Sequence, residues 1–187
     1  MSIVHEKSII LIGHLAAGKS STAEILSRDL NMPHISVDIY FEKMMKGDWA
    51  PRSDDEMEKF FVDSIKYMLK QKLETNTPFV MDFGAIHSCI KDTDLFIELR
   101  NALSPFKNVI FLRIHEDDEV ASEISLKRLK GDKRYDRRIV KDRDKFIKSG
   151  NNAFLAKKVL TTHDLTKEEV AKKVRGLLST NQPSCDL

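Results

Sequence analysis

Eight residues near the N-terminus, Gly13-His14-Leu15-Ala16-Ala17-Gly18-Lys19-Ser20, fit the pattern G-x-x-x-x-G-K-[ST] at every fixed position. Those residue types at that spacing suit phosphate binding. Gly13 and Gly18 permit a tight turn that brings backbone N–H groups against phosphate oxygens, where a Cβ would obstruct the approach. Lys19 reaches β and γ phosphates, Ser20 can place its hydroxyl on Mg²⁺, and Ser21 continues the contact surface for a nucleotide. The helix that follows aims its positive end at the same anion.

Such a loop needs a strand before it and a helix after it. Ser8-Ile9-Ile10-Leu11-Ile12 is an apolar, β-branched run of the buried-strand type. Ala23, Leu26 and Leu30 lie at i, i+3 and i+7, one helix face, and Asn31 with Pro33 supplies a stop. His34 to Val37 reads as a second strand ending at Asp38. A short helical stretch through Tyr40, Phe41, Met44 and Met45 follows and stops near Gly47; Trp49 beyond it suits an acceptor pocket or the core equally. Ser53 starts a long helix with a capping box to Glu56, its apolar face running through Met57, Phe60, Phe61, Ile65, Met68, Leu69 and Leu73. Pro78 to Asp82 is the third strand, again closed by a carboxylate.

The remainder alternates in the same way. It predicts a helix at Asp94 to Leu103, a strand at Asn108 to Ile114 and a helix from about Asp117 to Lys130. A helix near Val140 to Phe146 comes next, then an interruption at Gly150-Asn151-Asn152 and a strand at Lys158 to Thr161. Thr166 and Glu169 cap the last helix, with Leu165 opposite Val170 as a staple. The alternation predicts an α/β protein: a three-layer, doubly wound parallel sheet of five strands. Ligands of such sheets sit beyond the carboxyl ends of the strands, so Asp38 and Asp82 should face whatever the loop holds.

Length and composition bound the rest. The 187 residues, 41% apolar and 32% charged, fit one domain over 1–178 with a disordered tail at 179–187. No apolar run approaches the ~18 residues that span a bilayer and the N-terminus lacks a signal-peptide pattern, so a cytoplasmic protein with no membrane partner is expected. Cys89 and Cys185 read as free thiols, and the six histidines show no ligand spacing. A net charge of +2 gives no reason to expect nucleic acid. The charge is concentrated, however: residues 127–148 carry eleven Lys or Arg against four Asp, leaving −5 for the remainder. Beside a phosphate-binding loop that segment reads as a lid over about 128–148, with Arg128, Arg134, Arg137 and Arg138 able to fork onto phosphate oxygens. A solvated helix face or an RNA-binding patch is the alternative.

From Ser8 to about Leu178 the chain resembles the small P-loop kinases of the shikimate kinase-like group, within the nucleoside monophosphate kinase fold. The resemblance rests on Gly13 to Ser20 and on Val37-Asp38-Ile39-Tyr40-Phe41-Glu42, which is similar to that family's Asp-x-x-Ile-Glu stretch. It implies the strand order 2-3-1-4-5. Shikimate kinases hold shikimate with a Phe-Arg pair where Phe61-Val62 stands here, and with a Gly-Gly-Gly turn where Asp82-Phe83-Gly84-Ala85 stands. The O-phosphotransferase that acts on chloramphenicol is similar at Val37-Asp38, Asp82, Arg128 with Gly131-Asp132, and Thr161-Thr162-His163. In both families the aspartate matching Asp38 meets the acceptor hydroxyl.

The resemblance therefore implies an ATP-dependent kinase that moves a γ-phosphoryl group to a hydroxyl of a small metabolite or antibiotic, acting as a monomer or homodimer. Lys19, Asp38, Arg134 and Arg137 would be catalytic, residues 13–21 and Arg128 would hold the nucleotide, and Ser20 with Asp82 would serve Mg²⁺. Asp82 could instead cap nearby backbone. A nucleoside or nucleoside monophosphate kinase is the rival reading. A nucleotide-dependent switch or nucleic-acid-binding ATPase ranks third, since no Asn-Lys-x-Asp motif occurs.

Overall fold

The computed structural model describes residues 2–45, 53–130 and 144–179. Five strands, β1 (Ile9–Gly13), β2 (His34–Ser36), β3 (Val80–Asp82), β4 (Asn108–Arg113) and β5 (Lys158–Thr161), pair in parallel in the order β2-β3-β1-β4-β5. The connections supply α1 (Ile3–Lys7), α2 (Lys19–Leu30), α3 (Val37–Met45), α4 (Asp54–Glu74), α5 (Thr93–Leu103), α6 (Asp118–Leu129), α7 (Asn151–Leu155) and α8 (Lys167–Ser179). Ala85–Ser88 form a 3₁₀ turn and residues 144–148 are helical. The predicted order and the alternation of strands with helices are both present. Among the described residues no helix is long and apolar enough to cross a membrane.

Side-chain alternation along the strands sorts the core onto the two faces of the sheet. Ile10, Ile12, Met81, Val109 and Phe111 meet α4 and α5 through Phe61, Ile65, Leu69 and Leu99. Ile9, Leu11, Val80, Ile110 and Leu112 meet α2 and α8 through Ala23, Leu26, Val170 and Val174. All five residues of β1 are buried, which is why this segment reads as an unbroken apolar run. Each fully buried Ile or Leu stabilises the fold by about 1.5–3 kcal/mol relative to exposure.

Local signals hold where they rest on hydrogen-bond chemistry. Ser53 and Glu56 form the capping box of α4, and Thr166 and Glu169 form that of α8. Several details differ from expectation, among them β3, which starts at Val80 and not at Pro78. β2 ends at Ser36 and Val37 is already helical, because its fully buried side chain locks the first turn of α3 into the core beneath the sheet. Leu30 is 36% exposed, so the buried face of α2 ends at Leu26 and the last turn adds nothing to it. Gly150, at φ 71°, does not merely interrupt; its left-handed turn starts the short α7. Two short elements, α1 and the 3₁₀ turn, were not anticipated: at four or five residues they show no period to read. Trp49, Arg134, Arg137, Arg138, Gly131, Asp132 and Cys185 lie outside the described residues, as do most of the expected lid and the tail after Ser179.

Candidate active site

The loop from Gly13 to Gly18 joins the end of β1 to the start of α2, and two adjacent strands dictate its shape. A Cβ on Gly13 would stand 2.2 Å from the Leu112 carbonyl oxygen of β4, so the first fixed glycine is demanded by the sheet itself. Ala16 (φ 62°) and Gly18 (φ 86°) then take left-handed conformations, and Gly18 caps α2 with no side-chain bond. The first-turn N–H groups of α2 consequently have no intrahelical acceptor and face the loop.

Neighbouring elements hold the loop from outside. His14 is buried with its ring edge on Phe111, and its Nδ1 accepts from the Ile114 N–H at 3.4 Å. Burial, then the charges of Lys19 and Arg113, push its pKa down to about 4, so it is a neutral anchor. Leu15 sits against Ala85 and Leu129, its carbonyl accepting from Ser125 Oγ; Ala17 is buried on the α2 side of the sheet. Arg128 donates to the carbonyls of Ala16, Thr162 and His163 at 3.1, 3.3 and 3.0 Å, tying the loop to the segment after β5. These three bonds make Arg128 a clamp on the main chain. Arg128→Ala is expected to lower stability by about 1.5 kcal/mol, the scale of bonds to a charged donor, measurable as a fall in denaturation midpoint at unchanged slope. Between the clamp and α2 opens a cleft of about 230 Å³ lined by Ala16, Gly18, Ser21, Thr22, Arg128 and Thr162. Thr22 and Thr162 are buried there, and their hydroxyls have no protein partner among the described residues.

At the mouth of the loop three strand ends converge. Lys19 is 8% exposed, its Nζ donating to the carbonyls of Gly13 at 2.9 Å and His14 at 2.8 Å. Burial pulls its pKa down to about 8, opposed by the carboxylates of Asp38 and Asp82. Asp82, at the end of β3 and fully buried, accepts from Ser20 Oγ at 2.7 Å through Oδ2 and meets His34 Nε2 at 2.5 Å through Oδ1. Both partners are side chains; among the described residues Asp82 makes no backbone capping bond. The bond to Asp82 raises the His34 pKa, against the opposing effect of burial.

Asp38 lies in the first turn of α3, its side chain 55% exposed toward the same opening. Partial desolvation raises its pKa while Lys19 lowers it. Gly84 follows β3 so closely that a Cβ there would stand 2.0 Å from Asp38 Oδ1. His87, buried against Phe41 and Phe61 at ring separations of 4.6 and 4.7 Å, lies 3.6 Å from Asp38 through Nδ1. That nitrogen accepts from the Gly84 N–H at 3.1 Å, and burial drives the His87 pKa down to about 3. No proton therefore lies between His87 and Asp38, and the carboxylate keeps its lone pairs. Phe61 and Val62 both point into the core.

Lys19, Ser20, Asp38 and Asp82 thus come together, whereas Arg128 turns to the main chain. His34, His87 and Gly84 were missed, since their partners are set by strand register and by packing rather than by spacing along the chain.

A family profile described as an AAA domain matches residues 9–112, from the start of β1 to the end of β4. A shikimate kinase of Flavobacterium psychrophilum is 24% identical over 98 residues, 52% of this chain and 57% of that protein. The chain thus spans a little over half the length of that curated relative. The structure is similar to that of a shikimate kinase from Acinetobacter baumannii in complex with shikimate, at a TM-score of 0.71 and 15% identity, covering 96% of each chain. A gluconokinase from Sinorhizobium meliloti is similar at a TM-score of 0.53 and 16% identity, over 94% of this chain and 93% of that one. These likenesses establish a common fold.

Proposed function

We propose, from the premise that the chain belongs to the AAA domain family, that it is an ATP-dependent phosphotransferase acting on a hydroxyl of a small, non-nucleotide metabolite or antibiotic. One observation carries the reading: a buried lysine bonded to the carbonyls of a phosphate-type loop stands with two carboxylates, Asp82 at the end of β3 and Asp38 in the first turn of α3. An anchored ammonium, a hydroxyl–carboxylate pair and a solvent-facing carboxylate are the parts that phosphoryl transfer to an alcohol needs.

Lys19 and the α2 N–H groups bind the β and γ phosphates, and the base lies in the cleft of about 230 Å³ beside Arg128, Ser21 and Gly18. Ser20 and Asp82 fit a divalent cation, for a hydroxyl and a fully buried carboxylate are hard oxygen donors held 2.7 Å apart at the loop. Those two residues would hold Mg²⁺, whose charge would offset that of the phosphates. Asp38 orients the acceptor and takes its proton as the acceptor oxygen bonds to the γ-phosphorus and the bridging P–O bond to the departing ADP breaks. Phe41, Phe61 and His87 back that carboxylate with apolar and neutral rings. Phe61-Val62 offers no guanidinium for an acceptor carboxylate, which weighs against shikimate.

Gly84→Ala tests the acceptor side. The added methyl pushes only the end of the Asp38 side chain, so stability changes little while the misplaced carboxylate lowers turnover about tenfold at unchanged Mg-ATP affinity. The activity itself is tested by ATP consumption with sugars, aminocyclitols, phenicols, shikimate and nucleosides as acceptors. Acceleration by a non-nucleotide hydroxyl compound supports the reading; acceleration by nucleosides alone, or by none, overturns it.

A further inference from the structure

Strand parity places three side chains from three elements in one row. On β3, Val80 faces α2, so Asp82, two residues later, faces it as well. On β2, Ile35 faces the opposite side of the sheet, so His34 turns toward α2 with Asp82. Ser20 descends from the first turn of α2 onto the same spot. The result is a continuous chain, His34 Nε2 to Asp82 Oδ1 at 2.5 Å and Ser20 Oγ to Asp82 Oδ2 at 2.7 Å. Each carboxylate oxygen therefore has a side-chain partner on a different element.

We infer that His34 is a positioning residue for cation binding, which holds the Asp82 carboxylate by Oδ1 so that Oδ2 stays with Ser20 at the phosphate loop. This rests on the phosphotransferase reading and extends it to a residue that touches neither nucleotide nor acceptor. A terminal carboxylate torsion is broad and nearly two-fold, so one hydrogen bond leaves the plane of the group free to turn. Two bonds from opposite sides fix it. The charges of Lys19 and Asp38 also act on this neighbourhood, and the Glu24 carboxylate on α2 acts electrostatically on His34. Without His34, a fully buried oxygen loses its partner and the carboxylate is free to turn toward Lys19. Ser20 would then be drawn from the orientation that a cation requires. Outer partners of metal-binding groups typically contribute ~10–100-fold in metal affinity.

The experiment compares a non-hydrolysable ATP analogue with and without Mn²⁺, binding measured by calorimetry and the metal by electron paramagnetic resonance, in wild type, His34→Ala and His34→Gln. His34→Ala is expected to weaken the metal-bound analogue ~10–100-fold while leaving the metal-free analogue within about twofold. His34→Gln, which retains an N–H donor, is expected to recover most of the loss. Asp82→Asn added to His34→Ala should cost little more than either change alone, because both act on one carboxylate. A metal preference equal to wild type in His34→Ala overturns the assignment, as does an equal loss for both forms of the analogue or a His34→Gln protein no better than the alanine variant. If wild type itself binds the analogue without metal dependence, the phosphotransferase reading falls with it; a wild-type preference that His34 does not affect removes only the role of His34.

Discussion

Lys19→Ala is expected to abolish phosphoryl transfer, a loss of ~10³-fold or more, while leaving the protein folded. In the free protein the ammonium bonds two loop carbonyls, Gly13 and His14, yet it does so as a nearly inaccessible charge whose pKa burial has pulled from 10.5 to about 8. Removing it forfeits two hydrogen bonds and relieves a desolvated charge; the two effects oppose each other, so the melting temperature should stay near wild type. The thermal shift given by Mg-ATP should vanish. The same pKa sets a pH dependence. The cationic form that attracts phosphate is present below about pH 8 and lost above it, so tripolyphosphate should bind the free wild-type protein progressively more weakly from pH 7 to pH 9, with no matching loss in Lys19→Ala. Retained turnover with a retained ligand shift in the variant would remove the loop from the mechanism.

The second large effect belongs to Asp38. Asp38→Asn preserves shape and removes basicity, so turnover should fall by ~10²-fold or more while Mg-ATP affinity stays within a fewfold. The geometry sharpens this beyond the position in the chain. His87 Nδ1 is 3.6 Å away but commits its lone pair to the Gly84 N–H, so it neither protonates Asp38 nor holds it by a hydrogen bond. The carboxylate is left open to solvent on the acceptor side. The competing role is structural: Asp38 occupies the first turn of α3, where a negative charge interacts favourably with the helix dipole by roughly 0.3–1 kcal/mol. If that were its whole contribution, Asp38→Asn would melt slightly lower and turn over at the wild-type rate. Melting temperature, Mg-ATP affinity and acceptor-dependent turnover on this one variant separate the two.

By itself, the amino-acid order determined the features that are local or periodic. The loop, the buried run of β1, the capping boxes at Ser53 and Thr166, and β5 at Lys158–Thr161 depend on neighbours a few residues away, and each appears in the structure as read. Parallel topology was legible for the same reason, since a strand, a helix and another strand in short succession have few ways to close. The tertiary structure decided everything that depends on register. Arg128 carries the fork that phosphate recognition calls for, but α6 and the segment after β5 aim it at three carbonyl oxygens instead. Whether Asp38 ends a strand or starts a helix turned on the burial of Val37, a contact with distant core residues. His34 and Asp82 are forty-eight residues apart in sequence and touch because β2 and β3 pair His34 with Val80, bringing residues two apart in register onto one face. Spacing along the chain carries no trace of that contact, since the register of two parallel strands is fixed by the packing of the helices that connect them.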